Sequence, residues 1–379
     1  MRRRWRRTAP HAIEEQIILG EAVGGDLDSW TMGSTAVFPA AMLGRHVVVV
    51  GATGVGKTET LLRIAHGAAS QLGWHVLFLD AKGDYDTVPR FVAAMRAAGK
   101  RMVRVFPDES YDGWRGDALA ILNRLMAVEN FSEPYYRSTT KKLLQEALGS
   151  PLGVPRSAGE LLERLASSKT REGIGAEARY SAFFGALGGK LDGEWAFEDA
   201  DAAYILLEGL ALKEEAASLG RFLMEDFAHY VAKRKKRDQR VLLIIDEFSA
   251  LAAGADAANL FERVRSLGAA VAVSSQSYAG LGEGADRILD AAGSVICHQN
   301  ADPERLAARA GTRRVMEHTI QFDMTDGPTG LGSLRSQDAF RVHPDAVRQL
   351  GVGECFAIAN GRALRIRVTP LRLDGHQGG

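Results

Sequence analysis

Eight residues near the start of the 379-residue chain have the types and spacing of a phosphate-binding loop. They fit the pattern G-x-x-x-x-G-K-[ST]. In such a loop, glycines let backbone N–H groups face a β-phosphate, the lysine (Lys57) neutralises β- and γ-phosphate charge, and the hydroxyl of Thr58 binds Mg²⁺. We therefore predict a site for ATP and Mg²⁺. Its predicted binding residues are Gly51, Ala52, Thr53, Gly54, Val55, Gly56, Lys57, Thr58 and Glu59.

Two adjacent carboxylates follow a run of five aliphatic residues at 241–245. This run predicts a buried strand, and a charge at the end of such a strand needs a compensating partner, which Mg²⁺ can supply. We predict that Asp246 holds the metal and that Glu247 activates the attacking water. The alternative is that both acids only cap the following helix.

A glutamine and two arginines are further candidates for the same chemistry. Gln276 follows a predicted strand at residues 270–274, where its amide can sense the γ-phosphate; the alternative is an ordinary surface glutamine. Arg263 and Arg265 lie on the preceding predicted helix. We favour Arg265 as an arginine that enters a neighbouring subunit's ATP site and stabilises transition-state charge. Solvated helix arginines are the alternative.

The elements that must position these residues alternate between strand and helix, which predicts an α/β fold with a mainly parallel sheet flanked by helices. Strands are predicted at residues 46–50, 75–80, 102–106, 203–207, 241–245, 270–274 and 294–298. Helices are predicted at residues 61–69, 88–98, 213–233, 259–267, 285–291 and 302–310. Residues 13–38 suggest short strands, and residues 355–368 suggest a hairpin around Asn360-Gly361 that covers one sheet edge.

Between the third and fourth of these strands the pattern changes. Helices are predicted at residues 135–148 and 158–167, and no convincing strand is found there. We therefore predict three parts: a basic arm with short strands at 1–43, a nucleotide-binding domain at 44–108 and 200–379, and an all-helical insertion at 109–199.

Composition excludes several classes of protein. With 47 basic and 47 acidic residues, any contact with nucleic acid must come from local patches, for which the amino-terminal arginines, residues 233–237, Arg341 and residues 362–367 are candidates. A solvated terminus or helix end explains the first two equally well. Two distant cysteines argue against a disulfide framework, and no apolar run approaches the roughly 18 residues of a membrane span. We expect a cytoplasmic protein.

Four segments together resemble the coupling-protein ATPases of conjugative type IV secretion, which are relatives of the FtsK and HerA DNA pumps. The segments are residues 46–58, residues 78–84 with Asp80-Ala-Lys-Gly, residues 241–251 and residues 270–276. The likeness covers residues 44–108 and 202–370, and the helical stretch between them occupies the position of that family's all-α domain.

The resemblance implies a RecA-like P-loop core, a homohexameric ring, ATP-driven movement of DNA and an arginine finger at Arg265. It also implies that residues 80–84 lie beside the nucleotide. Many coupling proteins begin with membrane-spanning helices, and this sequence shows none. Either a membrane-bound partner supplies the anchor, or an anchor has been removed, or the protein is a soluble relative with another task.

Three functions remain in competition on these grounds. The first is a motor that moves DNA or nucleoprotein toward a type IV secretion apparatus. The second is an ATPase that docks or gates protein substrates without gripping DNA, which the neutral net charge mildly favours. The third is a nucleotide switch with little hydrolysis, against which Glu247 argues.

Overall fold

The computed structural model describes residues 15–25, 30–207, 213–234, 239–251, 257–323 and 327–372. The strands are β1 Gln16–Gly25, β2 Thr31–Met32, β3 Thr35–Pro39, β4 Val47–Val50, β5 His75–Asp80, β6 Val103–Phe106, β7 Ala202–Leu206, β8 Val241–Asp246, β9 Ala269–Ser275, β10 Ser294–His298, β11 Thr312–Asp323, β12 Gly327–Phe340, β13 Glu354–Ala359 and β14 Arg362–Val368. The helices are α1 Ala40–Leu43, α2 Lys57–Ser70, α3 Thr87–Ala97, α4 Ala118–Val128, α5 Pro134–Leu148, α6 Ala158–Ala166, α7 Arg171–Leu187, α8 Lys213–Lys233, α9 Ala257–Arg265, α10 Ala285–Ala291, α11 Glu304–Ala308 and α12 Pro344–Arg348.

One twelve-stranded sheet organises the chain, in the order β2-β3-β1-β14-β13-β10-β4-β9-β8-β5-β7-β6. The strands from β10 to β6 are parallel to one another. All seven predicted strands of this part are observed, each within one residue of its predicted ends. The predicted α/β fold with a mainly parallel sheet is therefore confirmed.

Both faces of the parallel part are covered, which explains why its strands read as unbroken apolar runs. In β4, Val47 and Val49 pack on the face covered by α2 and α3. Val48 and Val50 pack on the opposite face, with α8, α9 and the helices between residues 118 and 187. The carboxyl ends of the parallel strands meet at one edge, where ligands of open α/β sheets bind.

The carboxy-terminal hairpin was predicted correctly, but its predicted place was wrong. β13 and β14 form an antiparallel hairpin around Asn360 and Gly361. The prediction put this hairpin at an edge of the sheet. In the structure β14 pairs with β1, and β1 pairs with β3, so three amino-terminal strands extend the sheet beyond it. Sequence periodicity does not specify such long-range pairing.

Helices α4 to α7 occupy the stretch between β6 and β7, and a buried ion pair joins it to α8. Arg124 of α4 donates to the carboxylate of Asp226 of α8, which also accepts from the Tyr111 hydroxyl. Burial raises the pKa of Asp226 while Arg124 opposes this rise. Breaking such a pair leaves an uncompensated buried charge, so it fixes α4 against α8.

Strands β11 and β12 form a separate two-stranded hairpin that sequence reasoning missed. The dipeptide Asp326-Gly327 between two runs of mixed polarity was the available signal. The amino-terminal arginines and residues 235–237 of the basic run lie outside the described residues. In the described part of the chain, no helix combines the length and apolar character needed to cross a bilayer.

Candidate functional site

The predicted phosphate loop connects β4 to α2 and lies at the carboxyl edge of the parallel strands. Gly51 packs so closely on His298 that a Cβ at this position would lie 2.5 Å from the His298 Cβ. Gly56, the residue that caps α2, has a φ of 107° in the left-handed region. These two glycines therefore cannot be replaced without moving the loop, because L side chains clash or are strained there.

The side chain of Lys57 is buried at the end of the phosphate loop. Its side-chain ammonium donates to the carbonyl oxygens of Gly51 at 2.6 Å and Ala52 at 2.9 Å. Burial lowers the pKa of Lys57, while the carboxylates of Glu247 and Asp246 raise it. Lys57 is the first residue of α2, so its cation is held at the start of that helix, as a β/γ-phosphate ligand requires.

The two predicted metal-binding residues meet although 188 positions separate them in sequence. β4 and β8 flank β9, and the Thr58 hydroxyl donates to the Asp246 carboxylate at 2.8 Å. The Ser274 hydroxyl of β9 binds the other Asp246 oxygen. A hydroxyl and a carboxylate oxygen at this separation form a hard-oxygen pair that suits Mg²⁺, with remaining positions left for phosphate oxygens and water. The donor set therefore fits the metal.

Glu247 adopts a backbone conformation that is uncommon for a residue with a side chain. Its φ of 58° and ψ of 54° place it in the left-handed region, where a non-glycine residue costs on the order of 1 to 3 kcal/mol. Hydrogen bonds from its backbone N–H to the Asp246 carboxylate at 3.0 Å and to Ser274 Oγ at 2.9 Å hold this conformation. With this backbone conformation, Glu247 lines the cleft.

Gln276 also reaches the cleft, as its position after β9 predicted. Its side-chain amide donates to the Glu247 carboxylate at 3.3 Å, and its backbone carbonyl accepts from Asn300 at 3.3 Å. The structure thus brings Gln276 beside Glu247. A role in sensing the γ-phosphate remains a prediction.

The cleft formed by these elements has a volume of about 590 Å³. Its lining includes Gly54, Gly56, Lys57, Thr58, Glu59, Lys82, Asp84, Arg90, Asp246, Glu247 and Gln276. Glu59, predicted as part of the nucleotide site, forms an ion pair with Arg90 of α3. Arg90 was missed because nothing in the spacing of α3 marks it.

Arg265 is not among the residues that line this cleft. It ends α9 near His46, which precedes β4 at the opposite end of the parallel strands from the phosphate loop. Burial lowers the pKa of His46 to about 4, and the charge of Arg265 adds a smaller lowering. Arg263 lines a different cleft, with Glu225 and Arg137. Arg265 therefore cannot reach the nucleotide site of its own chain, and its predicted role in a neighbouring subunit stays a prediction.

The turn after β5 lies beside the nucleotide cleft, as the resemblance implied. Asp80 aligns with Asp246 across the β5–β8 pair. Its carboxylate accepts from the backbone N–H groups of Lys82 at 2.9 Å, Gly83 at 3.1 Å and Asp84 at 2.9 Å. It also accepts from the Tyr204 hydroxyl at 2.7 Å, and burial raises its pKa. The sequence suggested the place of this turn but not that Asp80 organises it.

His298 packs against the phosphate loop and was not among the residues predicted from the sequence. One ring nitrogen bonds to the Thr60 hydroxyl at 2.9 Å, and the other bonds to the Glu354 carbonyl at 2.9 Å. Because a carbonyl only accepts, Nδ1 carries the proton in the neutral ring, and Nε2 is the acceptor that faces the Thr60 hydroxyl. That hydroxyl also lies 3.2 Å from the Gly56 carbonyl, so the two acceptors share its one proton. Burial lowers the pKa of His298 to about 4. Its place at the end of β10 was the available signal.

This burial predicts a pH dependence of stability. The pKa of His298 is about 4 in the folded chain and 6.5 in its ordinary state, so the unfolded chain binds more protons between these values. The free energy of unfolding should therefore fall as the pH drops from about 6.5 to 4, by at most on the order of 3 kcal/mol from this residue. Denaturant unfolding at several pH values measures it. His298→Gln should flatten the profile, and an unchanged slope would show that other groups cause it.

Comparisons with known proteins agree with this geometry. Residues 33–147, which contain the phosphate loop, match the family model described as "Helicase HerA, central domain". The unbound form of the bacterial conjugative coupling protein TrwBdeltaN70 has the same fold. It is 15% identical, with a TM-score of 0.68, and the alignment covers 97% of this chain and 96% of that chain.

Two further structures show the same fold. The plasmid coupling protein TrwB in complex with ADP and Mg²⁺ is 16% identical, with a TM-score of 0.66 and coverage of 97% of this chain and 98% of that chain. VirB4 of Thermoanaerobacter pseudethanolicus is 15% identical, with a TM-score of 0.59 and coverage of 94% and 96%. No curated protein sequence matches this chain. The stretch that matches the HerA model thus lies within a P-loop fold that continues through almost the whole chain.

Proposed function

We propose that this protein is a motor that hydrolyses ATP and moves DNA or nucleoprotein toward a type IV secretion apparatus. One observation carries the enzymatic part: the Thr58 hydroxyl lies 2.8 Å from the Asp246 carboxylate, with Glu247 next to it in the same cleft. A P-loop and two adjacent acids from a distant segment thus converge at one point, which is the arrangement that phosphoryl transfer needs.

The side chains divide the reaction among them. The N–H groups of the loop and Lys57 hold the β- and γ-phosphates. Thr58 and Asp246 would hold Mg²⁺, which would neutralise charge on these phosphates. Glu247 accepts a proton from the water that attacks the γ-phosphorus, and the bond to the β–γ bridging oxygen breaks to give ADP and phosphate. Gln276, whose amide bonds to Glu247, couples the position of this base to the γ-phosphate.

The motor part of the proposal rests on the fold. The chain shares its fold, over nearly its whole length, with a conjugative coupling protein and with VirB4, and its P-loop part matches the HerA helicase model. We propose a homohexameric ring in which Arg265 of one subunit enters the ATP site of the next. This accounts for its distance from the site in its own chain. A membrane-bound secretion protein would anchor the ring.

Several basic residues that were predicted to contact DNA form ion pairs within the chain, and this favours the alternative function. Arg365 and Arg367 both bind Glu354, at 2.7 and 3.0 Å, and the pKa of Glu354 falls to about 2, chiefly through the Arg365 hydrogen bond. Lys233 lies 3.6 Å from Asp117. These cations already have carboxylate partners, so fewer of them are left for phosphates. An ATPase that docks protein substrates without gripping DNA is the second candidate.

Measuring ATP turnover with and without DNA over a salt series separates the two candidates. A DNA motor should be stimulated severalfold at low salt, and stimulation should fall steeply as salt rises because bound phosphates release counterions. A protein-docking ATPase should show the same turnover with or without DNA at every salt concentration. The latter result would remove the DNA part of the proposal and leave ATP hydrolysis standing.

A further inference from the structure

The nucleotide cleft contains a second lysine that the roles above do not use. Lys82 follows β5 by two residues and lines the same cleft as Lys57, Asp246 and Glu247. Because β5 pairs directly with β8, in register at Asp80 and Asp246, the turn that carries Lys82 lies next to the two acids. This is the side of the cleft where the γ-phosphate must lie if Asp246 holds its metal.

The backbone that carries Lys82 is held rigidly. The Asp80 carboxylate accepts the N–H groups of residues 82, 83 and 84, and the Tyr204 hydroxyl fixes that carboxylate in turn. Tyr204 is itself stacked on Phe78, with ring centroids 5.0 Å apart. A rigid base of this kind reduces the conformational freedom that the lysine loses on binding a ligand.

The side chain above this base is held only weakly. Among the described residues, the Lys82 ammonium lies 3.4 Å from the Asp84 carboxylate, and half of the lysine side chain is exposed. Thr87 also donates to that same Asp84 oxygen. A long, half-exposed ion pair contributes little to stability, so a more strongly charged partner displaces the carboxylate easily.

Among the described residues, the charges of the cleft leave one cation available for the terminal phosphate. The described cations that line the cleft are Lys57, Lys82 and Arg90, and Arg90 is paired with Glu59. Burial is the main cause of the lowered pKa of Lys57, and the charge of Lys82 adds a smaller lowering. Two ammonium groups that repel each other across a cleft are both stabilised when an anion lies between them.

We propose that Lys82 binds the γ-phosphate of ATP from within the same chain as the phosphate loop, releasing Asp84 when ATP binds. The inference rests on the proposed ATP site and adds a cation that distinguishes ATP from ADP. During hydrolysis the ammonium stabilises charge on the γ-phosphate oxygens while Lys57 spans the β- and γ-phosphates. Lys82 is then a second cation, after Lys57, that the same subunit contributes to the γ-phosphate, in addition to any arginine from a neighbouring subunit.

Binding of two nucleotides to three variants tests this proposal. Lys82→Ala should weaken binding of the Mg²⁺ complex of a non-hydrolysable ATP analogue by about tenfold or more, since a hydrogen bond between charged groups is lost. Binding of Mg-ADP should change less than about twofold. Lys82→Arg should restore part of the difference. Lys142→Ala removes a lysine of a similar exposed ion pair on α5 and should leave the binding of both nucleotides unchanged.

Turnover of the same variants gives a second readout. Lys82→Ala should lower kcat on the order of 10²-fold, which is the usual cost of removing one donor to a developing negative charge. The turn itself should survive this change because its hydrogen bonds come from backbone N–H groups. If Lys82→Ala weakens the binding of both nucleotides equally, or weakens the binding of neither, the proposed role of Lys82 is wrong. If the unaltered protein binds neither nucleotide, the proposed function itself fails.

Discussion

Replacing Lys57 with alanine should abolish ATP turnover. The ammonium lies buried inside the phosphate loop, 2.6 Å from the Gly51 carbonyl and 2.9 Å from the Ala52 carbonyl. No other cation that lines the cleft lies within the loop itself. Its loss removes the charge that balances the β- and γ-phosphates, so both nucleotide binding and transition-state stabilisation suffer, and turnover should fall by on the order of 10³-fold or more.

Steady-state phosphate release and nucleotide binding measure this effect together. The matched control is Lys100→Ala, which removes a partly buried lysine that donates to the Gly73 carbonyl at 3.1 Å on another part of the surface. It should turn over ATP at the parent rate. Normal turnover by Lys57→Ala would contradict the assignment of residues 51–58 as the phosphate site.

Replacing Glu247 with glutamine should separate binding from hydrolysis. Glutamine keeps the size and the strained backbone position of Glu247 but cannot accept a proton from water. The groups that hold the nucleotide, Lys57 and the loop N–H groups, are untouched. We therefore expect ATP affinity within about threefold of the parent and kcat lower by on the order of 10² to 10⁴-fold.

A single-turnover measurement is the sharpest check, because it reports chemistry without product release. Glu283→Gln, which changes an exposed glutamate outside the cleft lining, is the control and should have no effect. If Glu247→Gln turns over at the parent rate, the base is a different residue. The Asp84 carboxylate, which lines the same cleft, would then be the next candidate.

Local sequence patterns predicted the elements that carry this site and much of their chemistry. The P-loop pattern identified residues 51–58, and the aliphatic run before Asp246 identified β8, because a buried parallel strand reads as a continuous apolar segment. Seven parallel strands were located within one residue for the same reason. Such signals lie within ten residues or fewer, and periodicity is reliable at that distance.

The same patterns could not determine contacts between distant segments. The place of the β13–β14 hairpin inside the sheet depends on the amino-terminal strand β1 and not on the hairpin's own sequence. His298 and Lys82 carry no local mark of their importance. His298 contacts the loop because β10 lies beside β4, and Lys82 lines the cleft because β5 lies beside β8.

The sequence by itself therefore determined which residues could bind phosphate and metal, because these roles depend on residue type and on short spacing. Only the tertiary structure decided that Thr58 meets Asp246, that Glu247 takes a left-handed conformation facing Gln276, and that Arg265 lies at the far end of the parallel strands. The physical reason is that strand order fixes these distances. Strand order results from packing both faces of one sheet across the whole chain, which no local segment encodes.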